Sequence, residues 1–508
     1  MQAYVDSMGD AFDPARAKLE QIVEKLRGAE LRSAGHGQLE EFLQVQGREL
    51  VLAVFQANLD EMAELEQRVP GGVSGSDGLV RPRVEPGRAR NLITVFGTAI
   101  VTRCAYKAKG LTNVHPLDEV LDLPVLSSYS QGIVRLAVIE GVRGSFTEAR
   151  AAIERATGVW VGTRQLRELM DAAAVDIEGF HATAEIPKAD LGDVLVLTFD
   201  GKGVVMRPGS LREATAKAAA SATGRLSSRL SPGEKTGRKR MAELACVYDV
   251  ACEPRTAASM IAVTPAEKRE KNAARRESAQ TKRPKATHRW LSGSLIKDIP
   301  TMVAAGFAQA DRRDPDRRRS WVALVDGNRD QIHAIEAEAA ARGLTLPIVI
   351  DFVHVVEYIW DAAWAFFDKD DPTVEGWVTC MIRKVLDGNA VHVATEITEY
   401  ATRYNFTTSQ RKNAHKTSAY LTSHADYLDY PTALAAGWPI ATGAIEGACR
   451  HLICDRLDIT GARWGLSIAE AVLTLRATHI TGVLNEYWKY HRTQQHARDY
   501  PTNQLKAA

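Results

Sequence analysis

The first third of the chain alternates between helical and strand-like hydrophobic patterns. From His36 to Gln67 apolar residues recur at helical spacing, and the pattern stops before Pro70-Gly71-Gly72. Residues 71–87 are rich in Gly, Ser and Pro, which is typical of a linker, whereas Asn91–Tyr106 is β-branched and aromatic around Gly97, which predicts a hairpin. We therefore predict a helical region at 1–70, a candidate for oligomerisation, followed at 71–125 by a linker and a small β-hairpin.

Residues 126–185 predict a helix-turn-helix. A helix with an apolar stripe stops near Gly158, and a second helix begins at Thr163, a candidate N-cap. In that geometry Arg164, Gln165 and Arg167 lie at the exposed start of a recognition helix. The alternative is an ordinary helical hairpin.

Beyond residue 190 the pattern changes to short, nearly continuous apolar runs. Asp193–Phe199, Trp321–Val325 and Leu346–Ile350 are typical of strands that are buried on both faces of a largely parallel sheet. Met241–Val250 and Ala257–Val263 are two further predicted strands, with helical patterns between them. The fold class predicted is multidomain, with helical N-terminal regions and a mixed α/β sheet of about five strands.

Composition limits the class of protein. The chain has 508 residues, and its 64 Lys+Arg and 63 Asp+Glu give a formal net charge of +1. No apolar run approaches the ~20 residues that span a bilayer. The 6 cysteines form no CxxC pair, which disfavours a zinc ribbon or a disulfide framework and favours a reducing, cytoplasmic location.

The neutral total conceals local charge. Residues 1–69 hold 7 basic and 13 acidic residues, whereas residues 81–110 hold 7 and 1, residues 207–240 hold 9 and 2, and residues 265–290 hold 9 and 3. Basic blocks are typical of polyanion binding, although a single block is as often a solvated loop. Three such blocks in one chain favour DNA or RNA as a partner.

Each of the three buried runs is followed by an aspartate: Asp200, Asp326 and Asp351. Ligands of open α/β sheets collect beyond the carboxyl ends of the strands. Asp200 and Asp326 are each followed by Gly, which allows a ligand to approach the backbone closely. Carboxylates that meet there repel one another and need a cation, for which Mg²⁺ or Mn²⁺ is the natural choice.

A fourth acid, Glu446, lies in a predicted helix near the C-terminus. Glu446 borders an apolar stripe in the first turn of that helix, so its carboxylate would reach the edge of the sheet. The stripe consists of Ile445, Cys449, Leu452, Ile453 and Leu457. The alternative is a surface ion pair with Arg450, worth only ~0.3–0.5 kcal/mol.

Four stretches carry a family resemblance: VLTFDGKGVVMRPGSLREAT, RRDPDRRRSWVALVDGNRDQ, IVIDFVHVVEYIW and PIATGAIEGACRHLICDRLDITGARWG. They resemble the blocks of bacterial insertion-sequence transposases of the Kra-type family, which are DDE enzymes with an RNase H-like fold. The resemblance runs from about residue 90 to residue 490. It implies a catalytic triad of Asp200, Asp326 and Glu446 that holds two Mg²⁺ (or Mn²⁺) ions. Some relatives carry a cysteine-rich ribbon near the hairpin, but only Cys104 lies there in this chain, so no zinc is predicted.

The resemblance also implies a domain layout. The block at Asp351 and His354 resembles the C/D-x-x-H element of Mutator-like and hAT-like enzymes, with Asp351 supporting the site and His354 counted with the catalytic residues. These relatives insert a helical domain before the glutamate. The catalytic core would then occupy 190–369, with basic loops at 207–240 and 265–290, the helical insertion 370–440, and the C-terminal helices of the core 441–508.

The function implied is DNA transposition. The enzyme would bind terminal inverted repeats, cleave DNA phosphodiesters by two-metal catalysis and join 3′-OH ends to target DNA. It would act as a dimer or larger oligomer in the bacterial cytoplasm, on the nucleoid when bound to DNA. The DNA-binding residues predicted near the site are Lys202, Arg450, Arg456, Arg463 and Trp464. Two alternatives are a catalytically silent DNA-binding repressor and an RNase H-like nuclease that is selective for nucleic-acid structure.

Overall fold

The computed structural model describes residues 10–221, 238–264, 266–267, 269, 285–368, 370–404, 406–459 and 461–501, without the side chains of residues 409 and 410. The chain divides into two compact units, with boundaries at Thr183/Ala184 and at Thr481/Gly482. Unit 1 combines the N-terminal segment with the C-terminal one, and unit 2 is the segment between them. Within the described ranges no helix has both the length and the apolar character to cross a membrane.

The helices of unit 1 are α1 Asp13–Arg27, α2 Ala29–Arg32, α3 His36–Leu65, α4 Pro116–Val120, α5 Gln131–Arg143, α6 Phe146–Thr157, α7 Thr163–Ala173, α8 Ile177–Thr183 and, at the C-terminus, α20 Leu484–Asp499. Those of unit 2 are α9 Glu213–Ser221, α10 Ala257–Met260, α11 Ile299–Arg313, α12 Arg329–Ala341, α13 Phe352–Phe366, α14 Val374–Leu386, α15 Ala390–Arg403, α16 Thr408–Ser423, α17 Tyr430–Ala435, α18 Gly443–Cys449 and α19 Leu466–Ile480.

The strands of unit 1 are β1 Val73–Ser74, β2 Val80–Arg81, β3 Arg83–Thr94 and β4 Gly97–Lys107. Those of unit 2 are β5 Val194–Val205, β6 Lys239–Val250, β7 Thr287–Ser294, β8 Trp321–Val325 and β9 Ile348–Ile350. The protein is therefore a mixed helix-and-sheet molecule, as predicted.

In unit 1 the predicted helix and hairpin are both present. Helix α3 spans His36–Leu65, and β3 and β4 pair antiparallel around a turn at Thr94–Gly97. The predicted linker at 71–87 is wrong in part, because β1, β2 and the start of β3 lie inside it. Arg81 holds this segment in place, because its buried guanidinium donates hydrogen bonds to the carboxylate of Asp77 and to the C=O of Thr112.

Helices α5, α6 and α7 of unit 1 share one small core, built from Ile133, Ala137, Ala149, Ile153, Val161, Leu166 and Leu169. Gly158 ends α6 with a left-handed φ of 71°, as a C-terminal glycine commonly does. The N-cap prediction is off by one residue, because Gly162 caps α7 and Thr163 is its first helical residue.

The core of unit 2 is a five-stranded sheet in the order β7-β6-β5-β8-β9. Strands β5, β6 and β7 are antiparallel, and β8 and β9 run parallel to β5. Strands β5 and β8 are central, and their apolar runs are buried, which is why no alternation appears in their sequences. Helix α11 packs on the sheet, where Gly306 lies against Phe199, and α18 packs on β5 and β6.

Two features of this sheet differ from the prediction. Ala257–Val263 is not a strand; it begins with the short helix α10, because Thr256 and Ser259 form a reciprocal capping box. The fifth strand is instead Thr287–Ser294, whose first half is exposed and polar at the sheet edge.

The described residues between 370 and 440 are helical, and form α14 to α17. Helix α16 packs against α13 and α15. The helix of Glu446, α18, continues from Arg450 to Cys454 as one π-helical turn. All five residues of the predicted apolar stripe around Glu446 are buried. Residues 482–501, which the resemblance grouped with the catalytic core, belong to unit 1, where Tyr487 and His491 contact Ala173 and Asp176.

Candidate metal centre

The three predicted aspartates are level with one another, although only Asp326 and Asp351 follow the end of a strand, because β5 continues past Asp200 to Val205. Thr198 of β5 pairs with Leu324 of β8, so Asp200 and Asp326, two residues further on, are in register. Val325 of β8 pairs with Ile350 of β9, which places Asp326 level with Asp351. Neighbouring strands lie about 4.8 Å apart, so the three acids form a row across one edge of the sheet.

Asp200 lies inside β5 and is half-buried. Its Oδ1 accepts a hydrogen bond from the amide of Gly201 at 2.6 Å, and its Oδ2 accepts one from Sγ of Cys449 at 2.7 Å. Burial raises the pKa of Asp200 above its usual range, the two hydrogen bonds oppose that rise, and the charge of Asp326 adds to it. An anionic carboxylate here is thus held in a site that favours a compensating cation.

Asp326 occupies the turn after β8. Its Oδ1 accepts a hydrogen bond from the amide of Asn328 at 2.9 Å, and Gly327 between them has a left-handed φ of 96°. Asn328 in turn caps α12. The turn therefore fixes the backbone of Asp326 from both sides.

Asp351 is fully buried and caps α13. Its Oδ1 accepts from the amide of Val353 at 2.7 Å, and its Oδ2 accepts from both the amide and the hydroxyl of Thr442. Thr442 immediately precedes α18, so these bonds tie the start of that helix to the end of β9.

Glu446 lies one turn into α18, close to Asp351. Its Oε1 lies 3.2 Å from the hydroxyl oxygen of Thr442, whose single proton the carboxylates of Asp351 and Glu446 share. The pKa of Glu446 is raised by its removal from water and by the hydrogen bond and charge of Asp351, while the charge of His354 lowers it. Among the described residues no ion pair joins Glu446 to Arg450.

Asp351, His354 and Glu446 form a cluster suited to a metal ion. One ligand atom from each lies within 4.8 Å of the other two. His354 lies one turn beyond Asp351 on α13, and its Nδ1 is 3.3 Å from Oε2 of Glu357. Two carboxylates and one imidazole are a donor set that first-row divalent ions accept, with imidazole favouring Mn²⁺ over Mg²⁺.

The predicted catalytic acids thus gather at one edge of the sheet, in two groups. Asp200 and Asp326 are neighbours across β5 and β8, and Glu446 lies with Asp351 and His354. Helix α18 connects the groups, because Cys449, which contacts Asp200, is only one turn from Glu446. The three residues from Glu446 to Cys449 correspond to about 4.5 Å along the helix axis.

The residues predicted to bind DNA near these acids differ in exposure. Lys202, Arg450 and Arg463 are exposed. Arg456 and Trp464 are buried, with the guanidinium carbon 4.8 Å from the ring centroid, and Trp464 Nε1 donates to the C=O of Leu457. The prediction that Arg456 and Trp464 bind DNA is therefore not supported, since neither offers a surface to a nucleotide.

In unit 1 the predicted recognition residues lie at the start of α7. Arg164 is 86% exposed and pairs with Glu168, and Arg167 lies over the ring of Phe146. Gln165 is half-buried between them. Both arginines are accessible to a polyanion.

The basic block at 81–110 is largely neutralised within the hairpin region. Arg81 pairs with Asp77, Arg88 and Lys107 pair with Glu85, and Arg90 and Arg103 pair with Asp118. Asp77 and Asp118 lie outside the block, so a local charge count misses them. Parts of the other two blocks, at 222–237 and at 265, 268 and 270–284, lie outside the described residues.

Some residues at the site carried no sequence signal. Thr442 and Cys449 contact the predicted acids, as do Tyr420 and His424 at the backbone of the turn after β8. Thr442 directly precedes α18, a position at which threonine commonly caps a helix, but its hydroxyl makes no cap hydrogen bond to α18. The other three side chains contact residues 94, 97 and 249 positions away in sequence, so no local sequence pattern predicts these contacts.

Comparisons with known proteins add little. No protein-family model matches the sequence, and no curated protein matches it. Among solved structures, the chain is similar to the Drosophila P element transposase strand transfer complex, with 11% identity and a TM-score of 0.25, over 72% of this chain and 80% of that one. At that TM-score the likeness supports no inference about this chain.

Proposed function

We propose that this chain is a metal-dependent DNA transposase, similar to the Kra-type DDE enzymes of bacterial insertion sequences and built on an RNase H-like core. The observation that carries the proposal is the row of Asp200, Asp326 and Asp351 across three neighbouring strands, with the helix of Glu446 packed beside it. Acids so placed repel one another unless cations lie between them. The five-stranded mixed sheet carries these acids in register on neighbouring strands, which supports such a core.

The residues available to hold cations are Asp200 and Asp326 on one side and Asp351, His354 and Glu446 on the other. Mg²⁺ or Mn²⁺ bound there would supply charge stabilisation and would activate a nucleophile for phosphoryl transfer. Asp200, Asp326 and Glu446 would act as the catalytic carboxylates. Asp351 fixes the start of α18 through Thr442, and His354 lies at the open side of the cluster.

The exposed basic residues fit the phosphates of a DNA substrate. Lys202 follows Asp200 by two positions on β5, so both side chains point to the same face of the sheet. Arg450 and Arg463 would bind phosphates next to the acids, and Arg164, Gln165 and Arg167 of unit 1 would read terminal repeats. Two ends must be joined in one event, which favours a dimer or larger assembly.

The test is a cleavage and strand-transfer assay on duplexes that carry the inverted repeats flanking the gene. Wild-type protein should cut and join these ends in Mg²⁺ and should be inactive in EDTA. Asp200→Asn, Asp326→Asn and Glu446→Gln should each lose at least ~10³-fold in rate, because a metal contributes several kcal/mol and each 1.4 kcal/mol is a factor of ten. Asp316→Asn, an exposed acid of the same unit, is the matched control.

The same assay separates the two alternative functions. A DNA-binding repressor would shift the repeat duplex without producing cut or joined ends. A structure-selective nuclease would cleave branched DNA or RNA–DNA hybrids regardless of terminal sequence. Wild-type-like strand transfer by Asp326→Asn, with DNA binding intact, would refute the proposed triad.

A further inference from the structure

Three side chains from the helical segment 408–435 donate hydrogen bonds to backbone carbonyls at the ends of β8 and β9. Tyr420 Oη donates to the C=O of Asp326, and His424 Nε2 contacts the C=O of Gly327, each at 3.0 Å. Tyr430 Oη donates to the C=O of Ile350, also at 3.0 Å. These bonds therefore hold the two peptide groups on either side of Gly327 and the peptide group between Ile350 and Asp351.

These contacts are internal and rigid. The exposed fraction is 9% for Tyr420, 7% for His424 and 0% for Tyr430. The Tyr420 ring stacks on Tyr358 with centroids 3.9 Å apart and planes 14° from parallel. The Tyr430 ring meets Phe352 edge-on at 5.4 Å. Aromatic packing of this kind holds each hydroxyl at a fixed point.

His424 is held at both ring nitrogens. Nε2 is 3.0 Å from the C=O of Gly327, and Nδ1 is 2.9 Å from the C=O of Tyr420 and 3.0 Å from the hydroxyl of Ser423. The imidazole therefore joins the turn after β8 to the end of α16.

The turn that carries Asp326 approaches Tyr420 so closely that no side chain fits between them at Gly327. Gly327 has a φ of 96°, and a Cβ added there would lie 2.8 Å from the tyrosine hydroxyl. The ladder between β8 and β9 ends at Val325 and Ile350, where the C=O of Val325 still accepts from the amide of Asp351. The carbonyls of Ile350, Asp326 and Gly327 need other donors. Helices outside the sheet supply them.

We propose that Tyr420, His424 and Tyr430 are positioning residues, through which the helical segment 408–435 sets the geometry of the metal-binding carboxylates Asp326 and Asp351. The inference rests on the proposed function. A shift of a backbone carbonyl at Asp326 moves its side chain by a similar distance, and Mg²⁺ tolerates less departure from ideal geometry than larger ions do. The three residues thus determine how closely the site meets the geometry that Mg²⁺ requires.

The test compares Tyr420→Phe, Tyr430→Phe and His424→Leu with a matched control, all in the full chain. Tyr427→Phe is the control, because Tyr427 lies in the same segment but its hydroxyl donates to Glu336 on α12. The first readout is Mn²⁺ and Mg²⁺ affinity by titration calorimetry without DNA. The second is the half-saturating Mg²⁺ and Mn²⁺ concentration for DNA cleavage.

We expect each of the three variants to weaken Mg²⁺ binding about 3- to 10-fold, the effect of one net hydrogen bond. The loss for Mn²⁺ should be smaller, and Tyr427→Phe should match wild type. His424→Gln, whose amide can still donate to Gly327, should restore affinity relative to His424→Leu. A purely structural role would lower the unfolding midpoint without changing the ratio of Mg²⁺ to Mn²⁺ affinity.

Three results would overturn the inference. If wild type binds metal and cleaves DNA while the three variants keep its metal affinities, the positioning role is wrong and the proposed function stands. The same holds if Tyr427→Phe weakens binding as much as the others. If wild type neither binds either metal nor cleaves DNA, the proposed function fails and this inference fails with it.

Discussion

Cys449 places its Sγ 2.7 Å from Oδ2 of Asp200, so a thiol from α18 covers one oxygen of a central carboxylate. Burial, together with the adjacent carboxylate, raises the pKa of the Cys449 thiol far above its usual range. The reactive thiolate is therefore scarce at this position.

We predict that Cys449 is alkylated at least ~10-fold more slowly than the exposed Cys252 at pH 8. Iodoacetamide labelling of the folded protein, followed by peptide mass spectrometry, measures both rates. In denaturant the two cysteines should react alike, and Asp200→Asn should speed the labelling of Cys449. Equal rates in the folded protein would contradict the contact.

Replacement of Asp200 should stabilise the metal-free protein at neutral pH. A carboxyl whose pKa is raised on folding stabilises the fold when protonated, so this contribution is full below the ordinary carboxyl pKa and is lost as the pH rises through the raised value. Asp200→Asn should therefore raise the urea midpoint at pH 7 and have less effect near pH 4.

Bound Mg²⁺ should make wild type more stable than Asp200→Asn at neutral pH. With Mg²⁺ at ten times its dissociation constant, wild type should gain about 1.4 kcal/mol of unfolding free energy. Asp200→Asn should gain much less. A wild-type midpoint that is indifferent to Mg²⁺ would argue against a cation at this carboxylate.

The buried ion pairs of Asp249, at the C-terminal end of β6, should be essential for the stability of unit 2. Asp249 is 1% exposed, and Arg319 and Arg313 donate to its two oxygens at 2.6 and 3.3 Å. Arg319→Met should cost about 3–5 kcal/mol of unfolding free energy, since it leaves a buried carboxylate short of a partner. Lys217→Ala, which breaks the exposed pair with Glu213, should cost less than ~0.5 kcal/mol.

The start of α7 should contact DNA phosphates. Arg164→Ala and Arg167→Ala should each weaken binding and reduce the slope of log affinity against log salt by about 1. Fluorescence anisotropy with a repeat duplex across a salt series measures both quantities. Arg143→Ala on α5 is the control, and an unchanged slope in the α7 variants would remove α7 from the DNA interface.

The arginines of the block at 81–110 should differ according to their partners. Arg81→Gln should lower the stability of unit 1, because Arg81 is buried and paired with Asp77, and should leave the salt slope unchanged. The double change Arg83→Gln and Lys109→Gln, at two exposed sites, should lower DNA affinity without loss of stability. If Arg81→Gln lowered the salt slope and the double change left DNA affinity unchanged, the paired arginines of the block would be the ones that contact DNA.

The sequence predicted the centre of the fold better than its edges, for a physical reason. Strands β5 and β8 are covered on both faces, so burial leaves an unbroken apolar run. Strand β7 is an edge strand with exposed residues in its first half, and it has no such run. Ala257–Val263 has strand-like composition, but the capping box of Thr256 and Ser259 determines its local structure.

The residues of the site also divide into those that the sequence predicts and those that only the fold brings together. Asp200, Asp326 and Asp351 could be predicted because each directly follows an apolar run. Asp326 and Asp351 do follow strand ends, where parallel sheets collect ligands, whereas β5 continues past Asp200 to Val205. The contacts of Cys449 with Asp200 and of Tyr420 with Asp326 join residues 249 and 94 positions apart. Only the tertiary fold brings such pairs together, so no spacing in the sequence could reveal them.

The number of residues in the π-helical turn at Arg450–Cys454 sets the direction in which the chain continues after α18. A π turn holds more residues than an α turn, and each residue of an α-helix rotates the chain by about 100°. Deleting one residue here would allow an unbroken α-helix to form. Leu457 and the segment after it would then swing by roughly that angle relative to Glu446, which would remove Trp464 from its pairing with Met206. Substitutions in this turn should be tolerated far better than a change in its length.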